Sequence, residues 1–288
     1  MDKRPLHPET TVRPADVLHR ATLYLEAHGV QSPRETAEQL LAHVLKTDRA
    51  GLYARTDGLS SAEARSFGRA LCRRCAGDPV QHLTGRQQFR HLDLEVRPGV
   101  FVPRQETEVL VDVALEALAK ITDPVAVDVG TGAGAVALSL KVERPDSVVY
   151  ATDLSPDAVD LTRENSDRHG LEVKVLEGDL LAPLPQELAG RVDLVVSNPP
   201  YVRPEEYDDL PDEVKSDPEL ALLGGTAVHR RLAEESPRWL RPGGVLAMEI
   251  GADQAEEVVS LLEPGFTRIE VRRDLAGRDR VVISRLRS

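Results

Sequence analysis

Residues Ser197-Asn198-Pro199-Pro200-Tyr201 directly follow the apolar run Val192-Asp193-Leu194-Val195-Val196. An amide, two imino acids and a phenol at the end of a buried strand serve no packing purpose, but they suit a chemical one. A planar nitrogen, in a carboxamide or an aromatic amine, is a poor nucleophile because its lone pair is delocalised into the adjoining π system. The side-chain oxygen of Asn198 and the backbone carbonyl of Pro199 can accept its two N–H hydrogens. Those bonds orient the nitrogen and favour the positive charge that develops as the lone pair attacks. Prolines fix φ, so Pro199 and Pro200 hold the accepting carbonyl in place before a substrate arrives. Tyr201 offers a flat face against a planar amide or base. The alternative, a turn whose tyrosine packs on a sheet edge, leaves the order of these residues unexplained.

Upstream, Asp128-Val129-Gly130-Thr131-Gly132-Ala133-Gly134 joins an apolar strand to a helix. Glycines let the backbone turn tightly and bring bare amides at a positive helix terminus close to a ligand. With Ala135 the string also fits the loose dinucleotide pattern G-x-G-x-x-G/A, which alone is unspecific. Asp153 ends the second strand, where an acid accepts hydrogen bonds from a ribose, and Asp179 ends the third, beside an adenine. A glycine turn and two acids from three strand ends describe a nucleoside pocket at the carboxyl edge of a parallel sheet. The competing reading has Asp153 and Asp179 only capping the next helix or turn.

The elements that must position these residues fall into two modules and a connection. Helical spacing of Val17, Leu18, Ala21, Leu23, Tyr24 and Leu25 opens a small bundle over residues 1–80. Ser32, Pro33 and Glu35 read as N-cap, N1 and N3 of a second helix, and "TDGLSSAEARSFGRALCRRCA" as a third. Residues 81–104 alternate apolar and polar side chains, the pattern of a hairpin linker. Residues 105–288 form the second module, in which strands alternate with helices from Val125, and the last two strands are close enough to pair antiparallel at one edge. The expected fold class is α/β: a mainly parallel seven-stranded sheet with an antiparallel C-terminal edge, preceded by a helical bundle.

Composition narrows the function. The net charge is −12, and residues 1–80 hold 12 Lys+Arg against 10 Asp+Glu, so the acidity lies in the later part of the chain. That argues against a grip on duplex DNA through phosphates, though not against a basic protein partner. No apolar run approaches membrane-spanning length, and no signal-peptide core stands near Met1, so a cytoplasmic location is expected. Cys72 and Cys75 are the only cysteines and read as reduced thiols; a zinc site needs four ligands and no second cluster is visible, so no metal is expected. His91 and His229 are isolated and read as surface or packing residues. The acid-rich stretch 204–219 reads as a solvated loop or as a docking segment for basic protein surface.

The strings "DVGTGAGAVAL", "ATDLSPDAV", "SNPPYV" and "FVPRQETE" resemble class I S-adenosylmethionine-dependent methyltransferases that modify planar nitrogen. Over nearly the whole chain the sequence resembles the PrmC/HemK family, protein-(glutamine-N5) methyltransferases of peptide chain release factors. The resemblance implies a Rossmann-like catalytic domain, S-adenosylmethionine as cofactor, release factors as protein substrate, a monomer, and no direct need for nucleic acid. It places Gly130, Thr131, Gly132, Ala133 and Gly134 against the methionine part of the cofactor, Asp153 on its ribose, and Asp179 and Leu180 beside its adenine. It places Asn198, Pro199, Pro200 and Tyr201 on the glutamine amide, with Asn198 also bordering the cofactor. Two departures stand out: Gln105, where the family usually has proline, and Thr226-Ala227-Val228, where an acid and glycine are common. Rival readings are an adenine-N6 nucleic-acid methyltransferase and a ribosomal-protein glutamine methyltransferase. A dinucleotide oxidoreductase leaves Asn198–Tyr201 without a task, and an intact pocket disfavours a non-catalytic binding module.

Overall fold

A computed structural model describes residues 13–287. The chain divides into two compact units, one ending at Gly85 and the other starting at Arg86.

The first unit is helical: α1 (Pro14–Ala27), α2 (Pro33–Leu45), α3 (Arg49–Ala54), α4 (Ser61–Cys75) and α5 (Val80–Thr84). Its core is its own, with Leu18, Ala21 and Leu25 of α1 gathered with Leu40, Leu41, Leu52 and Phe67. A capping box opens α4: Ser60 Oγ accepts the Glu63 amide at 3.3 Å, and Glu63 Oε2 accepts the Ser60 amide at 2.6 Å. Ser32 and Pro33 do stand at the N-cap and first position of α2, as expected, but without a side-chain cap. Ser32 is left-handed, at φ 47°, and its side chain makes no capping bond; a cap needs the extended backbone that aims its oxygen at the first-turn amides. The short helices α3 and α5 escape periodicity because they are hardly longer than one turn. One of them, α3, starts where the Asp48 carboxylate accepts the Gly51 amide at 2.7 Å. Glu38 of α2 lies buried because Arg34 and Arg49 reach its carboxylate at 3.1 and 2.8 Å. Both cysteines are free thiols.

In the second unit β1 (Arg86–Phe89) and β2 (Leu92–Glu95) form an antiparallel hairpin. The main sheet comprises β3 (Val125–Val129), β4 (Val148–Asp153), β5 (Val173–Glu177), β6 (Val192–Ser197), β7 (Leu240–Glu249), β8 (Phe266–Arg273) and β9 (Asp279–Leu286). Among the described residues its order is β5-β4-β3-β6-β7-β9-β8, parallel from β5 to β7, with β9 antiparallel to both β7 and β8. The α/β expectation and the antiparallel edge both hold. The connecting helices are α6 (Glu108–Leu118), α7 (Ala135–Glu143), α8 (Pro156–His169), the single turns α9 (Asp212–Lys215) and α10 (Glu219–Leu222), α11 (Ala227–Trp239) and α12 (Ala255–Leu262).

The inner strands are apolar on both faces, as parallel strands covered by helices must be. Ala126, Leu194, Val196 and Ala247 pack with Leu110 and Leu118 of α6 and with Leu138 of α7. Val127, Val195, Leu246 and Met248 face the other way, with Leu232 of α11 and Val258 of α12. Successive residues of these strands alternate between the two cores, which fixes the register of the inner strands. No helix among the described residues is long and apolar enough to cross a membrane.

Asn165 of α8, fully buried, ties the hairpin to the glycine turn. Its Oδ1 accepts the Glu95 amide at 2.8 Å, while Nδ2 donates to the carbonyls of Glu95 and Ala133 at 3.0 and 2.9 Å. Asn165→Leu strands these backbone groups away from water, an expected loss on the order of 3 kcal/mol of unfolding free energy. Urea denaturation of the two proteins measures it.

Candidate active site

Val129 of β3 and Ser197 of β6 are direct partners in a parallel ladder. The next residues, Gly130 and Asn198, therefore leave neighbouring strands at one edge. Ser197 Oγ donates to the Val129 carbonyl at 2.8 Å and pins the two exits together. From β3 the chain winds outward through β4 and β5, whereas β6 and β7 lie on the opposite side. Such a reversal opens a crevice beyond the carboxyl ends of the strands.

Gly130, Gly132 and Gly134 adopt φ of +72°, +59° and +86°, values that side-chain-bearing residues rarely take. Buried Asp128 braces the turn from beneath: its Oδ2 accepts the Thr131 hydroxyl at 2.7 Å and the Ala137 amide at 3.1 Å. Burial pushes the Asp128 carboxyl up to about 7. Asp153 accepts the Gly132 amide on Oδ2 and the Ser155 amide on Oδ1, each at 2.9 Å. Burial raises its pKa as well. A carboxylate has about four lone-pair sites, so Asp153 keeps capacity for further donors. Asp179 is exposed and paired with Arg231 of α11 at 2.9 and 3.0 Å, and Leu180 beside it has φ +46°. The side chain of Asp179 thus reaches across to a neighbouring helix and caps nothing.

Across the crevice, Asn198 Nδ2 donates to Thr107 Oγ1 at 3.2 Å, which leaves Oδ1 as the accepting end of the amide. Thr107 is buried in the 3₁₀ turn Gln105–Thr107 that leads into α6. Pro199 is buried, and Tyr201 has its carbonyl held by Gln254 Nε2 at 2.7 Å. Gln254 is itself fixed, its Oε1 accepting the Gly251 amide at 3.0 Å. Burial, with the Glu249 charge, pushes the Tyr201 hydroxyl up. Glu249 ends β7 at 2% exposure, and burial pushes its carboxyl up to about 7 against the hydroxyls of Thr107 and Tyr201.

Beyond the tetrapeptide, Val202 donates its amide to the Leu222 carbonyl at 2.8 Å and accepts the amides of Gly224 and Gly225 at 3.0 and 3.1 Å. A Cβ on Gly224 would stand 2.2 Å from the Pro200 carbonyl oxygen, so only glycine fits. The two departures from the family pattern are absorbed locally. Gln105 sits in the turn before α6, and the hydroxyl of Thr226, which precedes α11, donates to Glu257 of α12. His91 is exposed, while His229 is buried and donates from Nε2 to the Glu249 carbonyl at 2.8 Å. The stretch 204–219 is not wholly solvated: buried Asp217 accepts the Val102 amide at 3.1 Å and Arg104 at 2.5 Å. Among the described residues no group of three or more His, Cys, Asp and Glu is placed to hold a metal ion.

The crevice therefore brings together the glycine turn, Asp153 and Asn198–Tyr201, with Asp179 turned to Arg231. Sequence reasoning gave no part to Thr107, Gly224, Glu249 or Gln254. Glu249 did leave a signal, a lone charge in the apolar run Leu246-Ala247-Met248-Glu249-Ile250. The other three act through contacts between distant segments and left none.

Residues 16–85 match the PrmC N-terminal domain, and residues 91–213 match the methyltransferase small domain. The chain is 42% identical over 275 residues to a release factor glutamine methyltransferase of Moorella thermoacetica, covering 93% of this chain and 96% of that one. It is 42% identical over 275 residues to a release factor glutamine methyltransferase of Deinococcus radiodurans, with 94% and 97% covered. A T. thermophilus 16S rRNA methyltransferase, solved in complex with AdoMet and guanosine, superposes with a TM-score of 0.51 over 70% of this chain and 50% of that one. At 20% identity that likeness is one of fold.

Gly224→Ala forces its new methyl group into the Pro200 carbonyl and must displace the loop that carries Asn198–Tyr201. The expected outcome is a fall in kcat of about a hundredfold, the scale set by an ångström-size misplacement. Unfolding free energy should change by no more than about 3 kcal/mol. Steady-state kinetics beside denaturation of the same variant checks both.

Proposed function

This chain belongs to the release factor glutamine methyltransferases, and from that premise we propose its reaction: transfer of a methyl group from S-adenosylmethionine to the side-chain N5 of the glutamine in the Gly-Gly-Gln motif of peptide chain release factors. The observation that carries the reading is the β3–β6 register, which sets the glycine turn beside Asn198 while the Asn198 NH2 is occupied by Thr107.

The residues present fit the cofactor. A Cβ built on Gly130 or Gly132 would meet nothing within 4 Å, so the outer side of the turn is a cradle that any other residue would fill. Gly130, Thr131, Gly132, Ala133 and Gly134 would hold the methionine part, and Asp153 the ribose hydroxyls through its spare lone pairs. Asp179 and Leu180 would border the adenine. When bound, the cofactor supplies a methyl group activated on a sulfonium centre.

The protein's own part is to make a sluggish nitrogen attack. Asn198 Oδ1 and the Pro199 carbonyl accept the two hydrogens of the glutamine amide, and Tyr201 covers its flat face. Accepting both hydrogens turns the lone pair toward the methyl group and stabilises the positive charge that grows on nitrogen. The stiffness of Pro199-Pro200, with Gly224 and Gln254 behind it, means little reorganisation accompanies the reaction. The nitrogen sheds one proton during or after transfer.

Incubation with labelled S-adenosylmethionine, a release factor and nucleic acid, followed by mass spectrometry, should place the label on the Gly-Gly-Gln glutamine. Label on adenine would overturn the reading. Asn198→Ala should lower kcat by about a thousandfold, as loss of a preorganised polar group does, while cofactor affinity changes little. Asp153→Ala should weaken cofactor binding about tenfold by calorimetry, worth roughly 1.4 kcal/mol.

A further inference from the structure

Building on that reading, we propose that Glu249 is a positioning residue: its carboxylate, acting through the Thr107 hydroxyl, dictates which end of the Asn198 amide faces the substrate nitrogen.

Glu249 has no evident structural purpose. It ends β7 on the face that also carries Val245 and Ala247, against α6. Its Oε2 is buried without a hydrogen-bond partner among the described residues. The nearby Arg280 guanidinium bonds instead to Asp274, at 3.2 Å. A buried carboxylate so poorly matched costs stability that an apolar side chain of similar volume would restore. Groups of this kind concentrate at functional sites.

Its neighbours show what it can do. The hydroxyls of Thr107 and Tyr201 both favour the charged form of Glu249. A threonine hydroxyl has one hydrogen to give and lone pairs to receive with. An ionised carboxylate only accepts, so the Thr107 hydrogen is drawn to Glu249. The Thr107 oxygen can then only accept, and the Asn198 amide must turn its NH2 toward it, as observed at 3.2 Å. Asn198 Oδ1 is thereby presented on the other side, as an acceptor for the glutamine N–H. A group at position 249 that donates a hydrogen reverses the chain. Thr107 would accept from it and donate to Asn198 Oδ1, and the Asn198 NH2 would oppose the NH2 of the substrate, donor against donor. One buried charge thus sets the polarity of a relay that ends at the reacting nitrogen.

The relay makes activity depend on pH. Glu249 is faced by Glu106 and Thr107 before α6, Tyr201 after β6, Arg280 on β9 and His229 on α11, which bonds to its backbone carbonyl. Burial dominates and pushes the Glu249 carboxyl up to about 7, with Glu106 acting in the same direction and Arg280 against it. The working form is the ionised one, so kcat should rise with pH through this range and decline below it.

The test uses the full chain, S-adenosylmethionine and a release factor, from about pH 5.5 to about pH 8.5. Wild type should methylate glutamine with an acid limb near neutrality. Glu249→Gln should lose about tenfold or more in kcat at the upper pH, roughly 1.4 kcal/mol of barrier, and should lack that limb. Its cofactor Kd should stay within about threefold of wild type, a shift under 1 kcal/mol. Thr107→Val should mimic the loss, and Thr107→Ser, which keeps the hydroxyl, should recover most of it. Full kcat in Glu249→Gln, or the same acid limb in that variant, overturns the relay. If Glu249→Gln no longer folds, equal kcat for Thr107→Val and Thr107→Ser overturns it. Absence of label on glutamine with wild type defeats the parent reading instead, so the two failures are told apart.

Discussion

The parallel pairing of β3 with β6 is the contact on which the candidate site depends. Two segments almost seventy residues apart become neighbours because Val129 and Ser197 share a rung of one ladder. A slip of one residue would turn Val127 and Val195 out of one apolar core and into the other. Burial on both faces therefore fixes the register, and the register fixes how far Gly130 stands from Asn198. In this sense the hydrophobic patterning of two strands sets the geometry of the chemistry.

Around that contact lies an unusual concentration of buried polar groups. Asp128, Asn165, Glu249 and Gln254 each sit at or below 2% exposure. Asp128 and Asn165 both grip the glycine turn, while Gln254 and Thr107 grip the segment after β6. Polar groups in such places rigidify when satisfied and are costly when not. Three of the four are well bonded. Glu249 is the exception, and its incomplete pairing is what separates a functional charge from a structural one.

The helical unit obeys a different logic. Its core closes on itself through Leu25, Leu40, Leu41 and Phe67, with the buried Glu38 matched by Arg34 and Arg49. It also holds both cysteines, Cys72 and Cys75, as free thiols. The near balance of charge in residues 1–80 contrasts with the acidity of the rest.

Much of this was legible in the order of residues. Apolar runs separated by helical periods declare a parallel sheet, since only strands buried on both faces read so continuously. Asn-Pro-Pro-Tyr suggests its proposed chemistry because each residue type has a local reason to be there, whether a lone pair, a fixed φ or a flat ring. Local reasons place a helix start more securely than its bonds: Ser32 and Pro33 do open α2, but the left-handed backbone of Ser32 leaves its side chain without a cap. Tertiary structure alone decided which partners stand behind the motif. Thr107, Gly224, Glu249 and Gln254 matter through distances to residues far along the chain, and neither period nor propensity encodes a distance. Side-chain type is written in the sequence, whereas the hydrogen-bond polarity of an amide depends on every group packed against it.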